Sequence, residues 1–171
     1  LKLKTLVTYF SLEGNTKCIG DSIASILNAD VEEIKTEKAI EAEKFMNYYW
    51  GGNKEHPDDM VELKELTKDP RKYDMIFIGT PVWAWAPAPP IYSLLKKYKL
   101  RGKKIALFTC SEGERGKTFQ KMEKLLPGND IISKREFINP RKDMDGSCSI
   151  KARQWARGTL REAAERRALE M

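Results

Sequence analysis

Residues 5–16 read TLVTYFSLEGNT and predict the first βα unit of the chain. Residues 5–10 are a short run of β-branched, aromatic and apolar side chains, which is typical of a strand. Residues 14–16 then open a helix whose apolar side chains share one face, at spacings of four, three and one: Ile19, Ile23, Ile26 and Leu27. A strand that passes through a short polar turn into an amphipathic helix predicts the start of an α/β fold.

The same alternation continues to the end of the chain. Further strands are predicted at residues 29–34, 73–80, 104–110 and within 130–138, and further helices at residues 91–98, 119–126 and 150–169. Parallel strands need crossover connections, and these cover both faces of the sheet. We therefore expect an α/β fold with a doubly wound, five-stranded parallel sheet in a single domain over residues 1–171. Residues 35–72 are long for a connection, so we expect part of them to be helical.

Composition excludes several classes of protein. Of 171 residues, 41% are hydrophobic and 33% are charged, which is enough to bury a core. No apolar run is long enough for a membrane span, and the first residues do not resemble a signal peptide. Cys18, Cys110 and Cys148 are odd in number and far apart, which argues against a disulfide scaffold or a metal-binding CxxC pair and favours the cytoplasm. A single histidine, His56, leaves little for a metal site or a Ser-His-Asp triad.

Charge is unevenly distributed along the chain. Residues 1–100 hold 14 Lys and Arg against 15 Asp and Glu, whereas residues 101–171 hold 17 against 10, for a net charge of +6. A basic half is one feature of a nucleic-acid-binding module, and this is one alternative function. The last predicted helix carries arginines together with glutamates at spacings suited to pairing, which favours an ordinary solvated helix face.

Three loops follow the carboxyl ends of the first, third and fourth predicted strands, where doubly wound sheets bind ligands. The first loop offers the unpaired N–H groups and partial positive charge of a helix N-terminus, which suit a phosphate. Its candidate binding residues are Ser11, Leu12, Glu13, Gly14, Asn15 and Thr16. Lys17 is the only cation nearby in the sequence. An ordinary helix cap would use the same residue types.

The second loop contains two tryptophans among four prolines, a combination that suits a flat aromatic ligand. Its candidate residues are Thr80, Pro81, Val82, Trp83, Ala84 and Trp85. We expect one of the two tryptophans to pack in the core. The third loop supplies small side chains and backbone amides for the polar edge of a ring, and its candidates are Cys110, Ser111, Glu112 and Gly113.

Residues 9–16 (YFSLEGNT), 79–83 (GTPVW) and 108–113 (FTCSEG) resemble the three FMN-contacting loops of the flavodoxin-like family. The resemblance covers the chain from residue 3 to about residue 140. It implies a flavodoxin-like three-layer sandwich that binds FMN noncovalently. The first loop would hold the FMN phosphate, the second would border one side of the isoalloxazine, and the third would line its other edge.

The function implied by this resemblance is electron transfer through FMN, either as a carrier or as a small NAD(P)H-dependent reductase. The expected partners are a redox partner protein, or NAD(P)H and a small electron acceptor, and an oligomer is compatible with either role. No GxGxxG fingerprint is present, so a nicotinamide nucleotide would dock directly against the flavin. We identify no catalytic side chain, because the protein's part is to position the cofactor and tune its potential.

The sequence departs from the family in three respects. Electron-carrier flavodoxins are acidic, whereas this chain is basic. Ala84 and Ala86 stand where relatives carry a glycine near the loop tryptophan, and alanine has a steric cost at positive φ. Residues 45–52 add an aromatic stretch, which would either cover the flavin or a substrate ring, or form a helix packed on the sheet edge.

Residues 111–118 (SEGERGKT) come close to the phosphate-binding loop of nucleoside triphosphatases, since they follow a strand, precede a helix and end in Gly-Lys-Thr. A P-loop-type nucleotide hydrolase is therefore a second alternative. The motif is one residue short, contains two glutamates, and lacks a Mg²⁺-binding aspartate at the end of another strand. Cys110, the residue before this motif, is open to two interpretations, as a redox thiol or as an inert buried side chain.

Overall fold

The structure is a computed structural model that describes residues 2–44 and 61–171. Its strands are β1 (Thr5–Tyr9), β2 (Asp30–Glu33), β3 (Met75–Trp83), β4 (Ala86–Pro87), β5 (Lys104–Ser111) and β6 (Asp130–Ile138). Five of them form a parallel sheet in the order β2-β1-β3-β5-β6, and the short β4 pairs antiparallel with β3. The expected doubly wound, five-stranded parallel sheet is confirmed.

The helices cover both faces of this sheet and create two hydrophobic layers. They are α1 (Asn15–Leu27), α2 (Pro89–Tyr98), α3 (Thr118–Lys124) and α4 (Ser147–Leu169). Successive residues of a strand point to opposite faces, so Leu6 and Ile76 pack with α2 and α3, whereas Val7 and Phe77 pack with α1 and α4. Strands buried on both faces explain the nearly continuous apolar runs in the sequence.

The sheet order places a crevice beside the middle of the sheet. β1 and β3 are neighbours, but the chain leaves β1 through α1 toward β2 and leaves β3 through α2 toward β5. Connections that diverge in this way leave an opening outside the carboxyl ends of the two strands. The first, second and third loops defined above all lie at this edge.

β3 is longer than the sequence indicates, because it ends at Trp83 instead of residue 80. Val82 and Trp83 pair with Pro87 and Ala86, and this short antiparallel ladder keeps the chain extended. Much of the second loop is therefore a β-hairpin that projects from the edge of the sheet.

The long connection between β2 and β3 is held to the sheet by a buried carboxylate. Glu32 accepts hydrogen bonds from the N–H and hydroxyl of Thr67 and from the N–H of Lys68, at 2.7–3.1 Å. Within the described parts of this connection, residues 42–44 are helical and Pro70–Lys72 forms one 3-10 turn, so the expected helix content is small there. The aromatic stretch 45–52 and His56 lie outside the described residues.

Across the ranges that the structure describes, no helix is both long enough and apolar enough to span a membrane.

Candidate functional site

The turn between β1 and α1 presents the start of a helix to the crevice. Gly14, the residue before α1, has a φ of 94°, a left-handed conformation that glycine adopts without strain. Ser11 shapes the turn because its Oγ accepts hydrogen bonds from the N–H groups of Gly14 (3.2 Å) and Lys17 (3.1 Å). The N–H groups of Asn15 and Thr16 lie in the first helical turn, where no partner exists within the helix. This geometry suits an anion.

Three loops enclose one cavity of about 250 Å³ at this edge of the sheet. Eleven of the sixteen predicted binding residues line it: Ser11, Leu12, Glu13, Asn15, Thr16, Pro81, Val82, Trp83, Cys110, Ser111 and Glu112. Ala42, from the long connection, also lines it, and no sequence signal marked that residue. Gly14, Thr80, Ala84, Trp85 and Gly113 lie in the same loops but not in the lining.

Two hydroxyl groups of this cavity are buried without an oxygen or nitrogen partner. Thr16 is 1% exposed, and neither Thr16 Oγ1 nor Ser111 Oγ has an oxygen or nitrogen hydrogen-bond partner among the described residues; Thr16 interacts with the Cys110 thiol, which is a weak hydrogen-bonding group. Leaving a buried hydroxyl unpaired costs on the order of 1–3 kcal/mol. Side chains of this kind at a cavity wall are suited to a polar ligand that completes their hydrogen bonds.

The two tryptophans of the hairpin occupy different environments. Trp83 is 7% exposed, lines the cavity and packs edge-on against Phe10 with ring centroids 5.7 Å apart. Trp85 is 40% exposed and lies against Gly116, where an added Cβ would come within 2.6 Å of the Trp85 side chain. The expectation that one tryptophan packs in the core is met by Trp83, which is also the one at the cavity.

The turn of this hairpin is strained. Ala84 and Trp85 have φ values of 50° and 57°, so both central residues are left-handed without being glycine. Two left-handed central residues are the geometry of the tight turns that match the twist of β-hairpins. Thr80 supports the hairpin from below, since its Oγ1 accepts a hydrogen bond from the N–H of Ala88 at 2.9 Å and donates to the Pro81 carbonyl.

Cys110 sits at the floor of the cavity and is 3% exposed. Burial raises the pKa of its thiol to about 12. A thiol with so high a pKa stays protonated at neutral pH and is a poor nucleophile. Of its two interpretations, the inert buried side chain fits this environment.

The near P-loop motif does not form a phosphate cradle. Thr118 is buried and its Oγ1 donates to the carbonyl of Arg115 at 2.6 Å, so the hydroxyl is used within the turn. Gly116 packs against Trp85, and α3 has only seven residues. Residues 113–118 do not line the cavity.

One cation near the first loop was not foreseen from the sequence. Arg141 follows β6 in a 3-10 turn, Pro140–Lys142, and its backbone N–H donates to Asn15 Oδ1 at 3.1 Å. Its guanidinium Nη1 donates to the carbonyl of Glu13. Lys17, the only cation near this loop in the sequence, donates to Asp21 Oδ2 at 2.9 Å and Tyr9 Oη at 3.4 Å. Arg141 is 126 positions from Asn15 in the sequence, so no local sequence pattern predicts that the two residues are in contact.

Comparison with known proteins gives a consistent result. Residues 4–145 match a family model described as Flavodoxin. A flavoprotein from Lactobacillus acidophilus NCFM, crystallised in complex with FMN, is 28% identical, with 78% of this chain and 93% of that chain covered and a TM-score of 0.64. No curated protein sequence matches the chain significantly.

Two more distant structures share the fold. A WrbA-like flavodoxin from Agrobacterium tumefaciens is 18% identical over 94% of this chain and 97% of that one, with a TM-score of 0.62. Oxidised flavodoxin 2 from Bacillus cereus is 20% identical over 95% and 99%, with a TM-score of 0.56. None of the matches described here is a nucleotide hydrolase.

Proposed function

The chain belongs to the flavodoxin family, and from this premise we propose that it binds FMN noncovalently and transfers electrons through it. The observation that carries the proposal is the cavity at the carboxyl ends of β1, β3 and β5, which has two unpartnered buried hydroxyls in its wall. A buried hydroxyl without a hydrogen-bond partner is destabilising, and a polar ligand that hydrogen-bonds to it offsets that cost. The FMN complex of the 28% identical flavoprotein supports the choice of ligand.

Each loop has a part in this proposal. The first-turn N–H groups of α1 and the Thr16 hydroxyl bind the phosphate, because a helix N-terminus favours negative charge. Trp83 offers an indole ring to one side of the isoalloxazine. Ser111 and its neighbouring amides face the polar edge of the ring. FMN supplies the electron-transfer chemistry when bound, while these residues orient it and keep water away from its buried side.

The electron donor in this proposal is either a redox partner protein or NAD(P)H with a small acceptor. Cys18, Cys110 and Cys148 are free thiols in the structure, which supports the cytoplasm as the location. Anaerobic mixing of the FMN-loaded protein with NADPH or with NADH distinguishes a nicotinamide nucleotide from a redox partner protein as the electron donor. Rapid bleaching of the flavin absorbance assigns a reductase, whereas bleaching that requires a partner reductase assigns a carrier.

FMN binding is measured by titrating the apoprotein and following flavin fluorescence together with thermal unfolding. We expect saturable binding and an increase in Tm, since a ligand at 100 times its Kd stabilises the native state by about 2.7 kcal/mol. Mg-ATP serves as the comparison ligand and is expected to leave Tm unchanged. Stabilisation by Mg-ATP without stabilisation by FMN contradicts the proposal.

A paired set of variants tests whether the cavity is the site. Thr16→Val and Ser111→Ala remove the two unpartnered hydroxyls and are expected to weaken FMN binding by about tenfold each, equivalent to about 1.4 kcal/mol. Ser93 also has a buried unpartnered hydroxyl but lies on α2, outside the cavity lining. Ser93→Ala is therefore the control and should bind FMN as the parent does. Equal affinities for all four proteins place the site elsewhere.

A further inference from the structure

We propose that Arg141 is the cation that recognises the phosphate of FMN, an inference that rests on the proposed function above. The helix N-terminus by itself offers the phosphate only dipoles and N–H groups. The structure adds a guanidinium at that point, from a segment that is remote in sequence. Arg141 thus makes charge a determinant of ligand choice at this site.

The first step of the argument is placement. Arg141 contacts the first loop twice, through its N–H to Asn15 Oδ1 at 3.1 Å and through Nη1 to the Glu13 carbonyl. A Cβ added to Gly14 would lie 3.4 Å from Arg141 Cδ and Nη1, so the side chain lies directly on the residue that precedes α1. Arg141 is not itself a lining residue, but both residues that it contacts, Glu13 and Asn15, line the cavity, and Thr16 Oγ1 is buried in the same wall.

The second step is charge. Lys17 is bound to Asp21, Lys142 lies 3.4 Å from Glu112, and Arg115 is paired with Glu136. Arg141 differs from these three cations, because within residues 2–44 and 61–171 it has no carboxylate partner. A cation without a counter-ion beside a helix N-terminus strengthens the attraction for an anion.

The third step is donor capacity. A guanidinium has five N–H groups in a planar fork that matches phosphate oxygens. The contact with the Glu13 carbonyl uses one of them. Arg141 can therefore keep the first loop in place and donate to a phosphate with the remaining groups. Arginine satisfies this double role better than lysine, whose ammonium is a point charge.

The test compares FMN with riboflavin, which lacks the phosphate. Dissociation constants for both ligands are measured by flavin fluorescence for the parent, Arg141→Gln, Arg141→Lys and Arg157→Gln. Arg157 is an exposed arginine of α4, so its replacement makes the same change in net charge away from the cavity. Circular dichroism and Tm establish that each variant is folded.

We expect Arg141→Gln to weaken FMN binding at least tenfold and riboflavin binding less than twofold. Arg141→Lys should retain part of the FMN affinity, and Arg157→Gln should match the parent with both ligands. The FMN affinity of Arg141→Gln should also depend less steeply on salt concentration than that of the parent.

The opposite results are distinguishable. If Arg141→Gln weakens FMN and riboflavin by the same factor, or weakens neither, Arg141 does not recognise the phosphate, although FMN binding itself stands. If the parent protein binds neither flavin, the proposed function fails together with this inference.

Discussion

Cys110 shows how a single burial value changes the chemical meaning of a residue. In the sequence it stands at the end of a strand beside a proposed cofactor, where a redox thiol is plausible. In the structure the thiol is 3% exposed and burial raises its pKa to about 12. Cys110 therefore lines the cavity as a packed, protonated side chain and does not act as a reactive thiol.

This environment predicts slow alkylation. With iodoacetamide at pH 8, Cys18 and Cys148, which are partly exposed, should be modified before Cys110. Mass spectrometry of tryptic peptides over a time course measures the three rates. In urea all three cysteines should react at similar rates, which is the control for intrinsic reactivity. Modification of native Cys110 as fast as the other two would make it an accessible thiol.

At the scale of single elements, the close contact between α1 and β1 sets the position of the first loop. Gly20 in α1 lies over the ring of Tyr9, and an added Cβ would come within 2.4 Å of Tyr9 Cδ1. The Tyr9 hydroxyl is itself fixed, because it donates to Asp21 Oδ1 at 2.9 Å. The ring therefore has little freedom to move, and the helix must approach the sheet through a glycine.

Gly20→Ala is expected to lower the free energy of unfolding by about 1–3 kcal/mol, as overpacking in a well-packed interior does. Gly158→Ala in α4 is the matched control, because a Cβ there meets nothing within 4 Å. It should stabilise the protein by about 0.5–1 kcal/mol, since alanine is the better helix former. Urea unfolding measures both variants. A gain in stability from Gly20→Ala would mean that α1 does not pack this closely on β1.

Two arginines of the C-terminal helix, α4, form ion pairs with residues outside that helix. Arg166 pairs with Asp130 of β6 at 2.6 Å and with Glu162, and Arg167 pairs with Asp74 at 3.2 Å. Arginines that make the sequence look like a nucleic-acid-binding helix thus include two that fasten α4 to the opposite edge of the sheet from the cavity. This pairing favours the solvated-helix interpretation for this end of α4.

At the scale of the whole molecule, two buried phenols and one buried thiol give the stability of the fold the same dependence on pH. Burial and a hydrogen bond from its hydroxyl to Asp30, at 2.7 Å, raise the pKa of Tyr73 to about 12. Burial also raises the pKa of Tyr9 and of Cys110. Each of these groups holds its proton more tightly in the folded state than in the unfolded state. The folded state therefore loses stability as pH rises from the pKa of the group in the unfolded chain to its pKa in the folded protein.

We therefore expect the free energy of unfolding to fall between pH 10 and pH 12. The contribution of Tyr73 is of order 2 kcal/mol, because its pKa is raised from 10.0 to about 12. Tyr73→Phe should be less stable than the parent at pH 8 but should lose less stability between pH 10 and pH 12. Urea unfolding at fixed pH values measures this difference. Identical losses for the two proteins would show that Tyr73 titrates as it does in the unfolded chain.

The sequence alone determined the five parallel strands, most of the helices and the three loops. Apolar runs such as residues 5–10 and 73–80 predict strands that are buried on both faces. The spacing of Ile19, Ile23 and Ile26 predicts one apolar face of a helix. Both patterns can be read locally, because the direction of successive side chains is set by the geometry of the strand or helix itself. The order of strands and helices then brings the loops after β1, β3 and β5 to one edge. Those loops are where eleven of the sixteen candidate residues line one cavity.

Only the tertiary structure decided which side chains of these loops meet and which cations accompany them. The sequence could not separate Trp83 at the cavity from Trp85 on Gly116, because that separation depends on a hairpin whose turn residues, Ala84 and Trp85, are not typical turn formers. The sequence places only one cation, Lys17, near the first loop, whereas packing pairs Lys17 with Asp21 and brings Arg141 to that loop. Contacts between residues more than a hundred positions apart arise because the 3-10 turn after β6 packs on α1, and no local pattern in the sequence predicts them.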